Sequence, residues 1–344
     1  MAELNAGAGT AQPGDSPALL DDVSPAQWLA KRLRSPEEHR VGSVVPQGFA
    51  AYARLLHPAT SVVRGGENLR WSEVSAWSGA TLSSKSSWRD VALPEHSPRS
   101  TPPWRAPGPA EGRPATKDVR TLVRHLALET AASDVCYFAV WEGSVAGQSA
   151  LLTELGTARE VIPAPEPPRE VVALPWRNYW LYRGTLGEVT NIAPDRWGAV
   201  SANLWWPEDH SWCVASEIDL PWTYLAGTEE LVSAVVTDSS LEATRVRPDD
   251  DYISQLPEWL SERIGRATSE LLDVGSCTLD LSLGTIHATW RRLRGRRRGE
   301  LVTASRGRNG EQASKRFLAS RDREQLRRLV SFALQSAIDA LCDG

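Results

Sequence analysis

The apolar stretches of this chain are short, and this limits its fold more than any other feature of the sequence. CYFAVW, Cys136–Trp141, is a continuous apolar run of strand length, as expected for a strand covered on both faces. No run approaches the roughly 20 apolar residues that a membrane-spanning helix needs. Short apolar segments separated by Pro, Gly and Ser call for a sheet with helices laid against it. WRNYWLYR (Trp176–Arg183) and SWCVASEI (Ser211–Ile218) are further strand candidates, and VGSVVPQGFAAYARLLHPA (Val41–Ala59) reads as two strands broken at Pro46-Gln47-Gly48.

Helices are legible from caps and from 3.6-residue periodicity. One is expected over Ser24–Arg34, with Ser24 as cap and Pro25 in the first turn. WSEVSAW (Trp71–Trp77) reads as one or two helical turns. Lys117–Thr130 is amphipathic through Val119, Leu122, Val123 and Leu126. Thr228–Thr237 opens on a capping Thr228, with Glu229 and Glu230 at its positive end. Pro257–Leu272 is amphipathic, and Arg321–Leu341 carries a stripe of Leu326, Val330, Ala333, Leu334, Ala337 and Leu341. Between these last two helices, Cys277–Leu283 alternates, and Thr285–Leu293 with Glu300–Ser305 reads as a hairpin.

The expected class is α+β, a mixed or antiparallel sheet with flanking helices, followed by a small α-β-β-β-α C-terminal module. The organisation expected is a disordered tail over 1–22, a main domain over 37–253 with a Pro-rich insertion at 93–114, and a basic module over 254–344. A second Pro-rich stretch runs from Ile162 to Arg169, and Asp249-Asp250-Asp251 marks an exposed turn. The first 20 residues carry neither a basic region nor an apolar core of the kind a secretory signal has, so a cytoplasmic protein is expected. The four cysteines, Cys136, Cys213, Cys277 and Cys342, lack zinc-site spacing and read as buried, reduced thiols. Neither a metal nor a cofactor is expected, and P-loop, GxGxxG, GxSxG, HExxH and kinase signatures are absent from the sequence.

Two segments, VVPQGFAAYARLLHPA (Val44–Ala59) and NLWWPEDHSWCVASEIDLPWTYLAG (Asn203–Gly227), resemble an uncharacterised family of bacterial cytosolic proteins. The resemblance covers roughly residues 40–255. It implies no activity, cofactor, substrate or catalytic residue.

The second segment holds the densest chemistry. Glu208, His210 and Glu217 are candidates for acid–base work, because a carboxylate on the strand face shared with Cys213 and Ala215 could stand beside a loop histidine. Trp205, Trp206 and Trp212 could wall a ligand. The plainer alternative has these tryptophans filling the core, Asp209 capping a turn, and Glu217 or Asp219 pairing with an arginine. His57 could approach His210 if their strands neighbour.

From Trp290 to Arg316 there are ten basic residues against two acidic ones. Arg294, Arg296, Arg297 and Arg298 form the hairpin tip, where guanidinium forks suit phosphate and Trp290 could stack on a base. A solvated turn, or one docked on Asp249–Asp251 and Asp273, is the plain alternative. No RRM, KH or helix-turn-helix signature accompanies the charge. The leading expectation is a non-enzymatic binding or regulatory protein acting through protein contacts. The alternatives are a nucleic-acid-associated protein using the hairpin over 290–316 and a hydrolase-like enzyme centred on 205–219. No membrane partner is expected.

Overall fold

The computed structural model describes residues 17–93, 101–105, 108–129, 135–144, 168–190, 192–195, 198–200, 202–252, 258–281, 283–292, 299–307, 312–319 and 323–343. The class is α+β with antiparallel sheets and flanking helices. The chain divides into two compact units, Met1–Leu55 with Gly112–Asp249, and Leu56–Glu111 with Asp250–Gly344. Leu56–Glu111, expected inside the main domain, groups instead with the C-terminal module. The physical reason is a set of tryptophans in that segment, described below.

The first unit opens with β1 (Ala18–Leu19), at the edge of the large sheet against Arg183 and Tyr182. These residues fall in the stretch expected to be disordered. Leu20 N donates to Leu181 O at 2.8 Å, and Leu19 packs on the core, which holds them in place. Residues 1–16 of that stretch lie outside the described residues. A 3-10 turn over Ser24–Ala26 leads into α1 (Gln27–Arg32), with Pro25 in its first turn as expected. Ser24 is not the cap. Its N–H and O–H both donate to the Asp22 carboxylate at 2.8 Å, which occupies the hydroxyl a cap would use. Val41–Ser43, expected in a strand, is a 3-10 turn, since Gly42 N is drawn to Pro248 O at 2.9 Å. Gly48, at φ +97°, makes the break before β2 (Ala51–Leu56). Arg54 of β2 is buried with its guanidinium 3.7 Å from the Trp222 ring centroid, a stacking that offsets part of its desolvation.

The second unit then begins with β3 (Ala59–Ser61), β4 (Asn68–Leu69), α2 (Trp71–Ser78), α3 (Trp88–Ala92) and β5 (Trp104–Arg105). β3 lies between β4 and β5. The Pro-rich 93–114 stretch, expected as pure loop, therefore contributes a strand, because Trp104 is buried opposite Ser61.

The chain returns to the first unit with α4 (Thr116–Glu129), β6 (Val135–Trp141), β7 (Val172–Ala173), β8 (Asn178–Thr185), β9 (Ile192–Asp195), β10 (Gly198–Val200), β11 (Leu204–Pro207), β12 (Cys213–Ala215), β13 (Trp222–Gly227), α5 (Glu229–Thr237) and β14 (Ala243–Val246). Residues 162–167 of the second Pro-rich stretch lie outside the described residues. The large sheet runs β1-β8-β6-β11-β12-β13-β2-β14, with β7 on β8. Alternate residues of β6 reach opposite faces. Cys136, Phe138 and Val140 join Trp205, Trp212, Val214 and Leu225 against Val119, Leu122 and Leu126 of α4 and Leu231, Val232 and Val235 of α5. Thr228 caps α5, its hydroxyl accepting Leu231 N at 3.1 Å.

The second unit closes with α6 (Glu258–Val274), β15 (Ser276–Leu281), β16 (Gly284–Arg292), β17 (Gly299–Gly307), β18 (Gln312–Ala319) and α7 (Arg323–Asp343). The module therefore has four strands in sequential order, one more than expected. β18 is polar and exposed over Gln312–Arg316, so it gives no hydrophobic alternation to read. Cys277, Leu279, Leu281, Ile286, Ala288 and Leu301 face Leu260, Ile264 and Leu271 of α6 and Val330, Leu334 and Ile338 of α7.

A cluster of four tryptophans in Leu56–Glu111 reaches this module through two of them, Trp88 and Trp104. Trp71 and Trp88 meet edge-to-face with centroids 5.3 Å apart, as do Trp88 and Trp104, and Trp77 and Trp104 at 5.1 Å. Trp104 Nε1 donates to Cys342 O at 3.0 Å and Trp88 Nε1 to the same carbonyl at 3.4 Å. The last carbonyls of a helix lack intrahelical partners, so two indoles serve as the C-cap of α7. Arg89, 3.1 Å from Asp339, adds an ion pair beside them. No helix of the described residues is long and apolar enough to cross a membrane.

Candidate functional site

The acid–base candidates sit on the hairpin formed by β11 and β12, where Leu204 pairs with Ala215 and Trp205 with Val214. Glu208, Asp209, His210 and Ser211 make its turn. Asp209 Oδ1 accepts Ser211 N at 2.9 Å, the capping role foreseen for it. His210 takes the left-handed conformation at φ +55°. Its ring stacks on Trp28 at 4.4 Å, and Trp28 meets Trp206 edge-to-face at 6.0 Å. Burial and the nearby Arg32 hold the imidazole below its usual range, with Asp209 opposing them. Glu208 is exposed.

Glu217 lies past the other end of β12, on the order of 20 Å of extended chain from the turn. The hairpin does not bring Glu217 and His210 together, because they flank the strand from opposite ends. Arg177 Nε donates to Glu217 Oε1 at 2.9 Å, and Arg177 Nη2 to Asp219 Oδ2 at 2.6 Å. The guanidinium also lies 5.1 Å from the Trp141 ring centroid. Glu217 is 7% exposed. It borders a shallow cleft, open to solvent and with room for little more than one water, with Tyr179, Asn203, Ala215 and Trp176. Asn203 is used up structurally, its Oδ1 accepting Trp141 N at 2.8 Å and its Nδ2 donating to Ser216 O at 3.2 Å. Burial pushes the Tyr179 phenol up, with Glu217 beside it adding to the shift. This arrangement is an ion pair packed at the sheet end, without a base aimed at open solvent.

Burial also pushes the Glu217 carboxyl up, against the pull of Arg177. A carboxyl raised on folding stabilises the fold when protonated. That contribution is complete below the unfolded value near 4.3 and is lost as pH rises through the folded value. Arg177→Ala removes the opposing pull. It is expected to cost about 2–3 kcal/mol at pH 7 and clearly less at pH 4. Urea unfolding at the two pH values measures the difference, and equal losses would show that the pair has no electrostatic weight.

The aromatic wall is core. Trp205, Trp206 and Trp212 are 2%, 0% and 0% exposed. Trp205 and Trp212 meet edge-to-face at 5.6 Å, and Trp206 stacks near Tyr137 at 6.0 Å. His57 belongs to the second unit, buried, with Nδ1 2.6 Å from Ala110 O. All four cysteines are free and buried.

The basic segment leads elsewhere. Arg294, Arg296, Arg297 and Arg298 lie outside the described residues. The strands on either side are described, and their register sorts the side chains by face. Thr278, His287, Ala304 and Ser314 share one row. Asp280, Thr285, Arg306 and Gln312 share the next, and Ser276, Thr289, Val302 and Arg316 a third. All of these lie on the face away from α6 and α7, and ten of the twelve are exposed, with Thr285 and Val302 half-buried. Thr278 Oγ1 lies 3.0 Å from His287 Nδ1, and Thr285 donates to Asp280 Oδ1 at 2.8 Å. Arg316 is loosely placed 3.9 Å from Glu300. Trp290 shares the row of Leu301 and Phe317 on the helix side, so it does not stand on this face as a stacking platform. Sequence reading found the charge and missed the surface. Strand alternation at Cys277–Leu283 was the available signal, since an alternating strand keeps one face open. Asp249, foreseen as a dock for the hairpin, pairs with Arg34 of its own unit.

No protein-family model matches the chain, and neither curated proteins nor solved structures provide a match. The functional reading therefore rests on geometry.

Proposed function

We propose that this is a non-enzymatic intracellular binding protein, and that the open face of the β15–β18 sheet receives an acidic protein partner. One observation supports this reading. Both helices of the module pack on one face of the sheet, and the other presents three continuous, mostly polar rows in which His287, Arg306 and Arg316 stand among hydroxyl side chains, Asp280 and Gln312, with Val302 and Ala304 between them. Such a face is flat and polar, with Arg306 and Arg316 available for charge-assisted contacts, and the connecting segment Leu293–Arg298 adds four arginines by sequence. Sheets that bind single-stranded nucleic acid stack bases on outward aromatic rings. The described outward rows carry no aromatic ring larger than His287, which favours a protein over nucleic acid. The acid–base reading of 205–219 gains nothing from the separation of His210 from Glu217.

The test is capture from native lysate by the full chain, with and without nuclease. A salt-sensitive protein partner is expected to survive nuclease and to be lost with Arg306→Glu combined with Arg316→Glu. Release by nuclease would transfer the proposal to nucleic acid. Capture unchanged by the double variant would remove the open face from the account.

A further inference from the structure

We propose that β18 is a strand-addition edge, and that it takes an extended peptide segment in which apolar and acidic residues alternate. This rests on the protein-binding reading above and names the partner's form. Among the described residues β18 is the last strand in the order β15-β16-β17-β18. Its eight residues, Gln312–Ala319, pair with β17 along their length. An edge strand leaves one row of backbone donors and acceptors facing outward. Extended peptides dock on such rows, with main-chain bonds giving affinity and alternate side chains giving specificity.

The flanks of the edge differ in chemistry. On the open face its neighbour is Arg316, whose side chain is 75% exposed. On the helix side lie Phe317 and, from α7, Phe332, with ring centroids 6.3 Å apart. Phe332 is 60% exposed, unusual for a phenylalanine on a packed helix. Lys315 crosses to the helix, donating to Ser336 Oγ at 2.8 Å. Because side chains of an added strand alternate between the faces, one set would cover Phe332 and the other would meet Arg316. The first set must be apolar and the second acidic.

Charge also selects against a second copy of this chain. Two antiparallel copies of β18 joined at their centres would place Lys315 of each copy opposite Arg316 of the other. Like charges directly opposite one another destabilise a strand pair. Edge charges serve elsewhere to prevent self-pairing. That protection alone gives no reason for Phe332 to stand in solvent beside the edge.

The experiment uses the full chain and two labelled eight-residue probes, one alternating Val and Glu, the other Val and Lys, followed by fluorescence anisotropy. The Val/Glu probe is expected to bind and the Val/Lys probe to bind at least about fivefold more weakly. Arg316→Glu is expected to reverse that preference, and Phe332→Ser to weaken the Val/Glu probe. Arg266→Ala, at an exposed position of α6, leaves it unchanged. Amide exchange should slow along Gln312–Ala319 on binding and stay constant along Ser276–Leu281. Phe332 is exposed, so its replacement leaves the fold intact, checked by an unchanged melt. Equal binding of both probes, or none of the Val/Glu probe, overturns strand addition. If the lysate partner is still lost on Arg306→Glu, the open-face reading survives that failure. A concentration-dependent dimer abolished by Arg316→Glu would overturn the choice of an acidic partner.

Discussion

Trp212→Ala is expected to cost about 3–5 kcal/mol, the range for deleting a large buried aromatic. For a unit of this size that lowers the melting temperature by roughly 6–20 °C. Trp212 is 0% exposed and closes the face of the large sheet covered by α4 and α5, meeting Trp205 edge-to-face. Thermal and urea unfolding measure the effect. An unchanged melt together with loss of a bound ligand would return Trp212 to the role of a binding wall.

Trp104→Ala is expected to cost a similar 3–5 kcal/mol in the second unit, by two separable routes. One is the ring, 4% exposed and edge-to-face with Trp77 and Trp88. The other is the indole N–H, the shorter of the two bonds to Cys342 O. Trp104→Phe keeps most of the ring and drops the donor. It should cost about 1 kcal/mol beyond the loss of ring size, the usual net value of such a bond. Hydrogen exchange over Ala337–Cys342 reads the second route directly, since an uncapped helix end frays. Exchange there as slow in Trp104→Phe as in the parent would show that Trp88 alone holds the carbonyl.

What the sequence displayed and what it hid follow from where each interaction is written. Cys136–Trp141 was legible because a strand covered on both faces is apolar at every position. The cap at Thr228 was legible because its partner is three residues away. β18 was hidden because an exposed edge has no hydrophobic period, and β5 because proline surrounds it. The 3-10 turn at Val41–Ser43 depends on Pro248, which is remote in sequence. At the candidate site, pairing of Glu217 with an arginine was legible in kind. The arginine's identity was not, because Arg177 reaches it across the sheet. The arginine cluster at 294–298 drew attention to charge, and the register of the strands beside it supplied the face.

The double indole cap on Cys342 has a consequence for synthesis. Trp104 and its acceptor are 238 residues apart in the chain. At about 5–20 residues per second on a ribosome, Leu56–Glu111 waits roughly ten to fifty seconds for the helix it secures. During that interval the indoles of Trp88 and Trp104 lack their final partner. Nascent chains carrying this segment should therefore depend on holding chaperones, and a stalled ribosome anywhere between Glu111 and α7 should leave a sticky, protease-sensitive product.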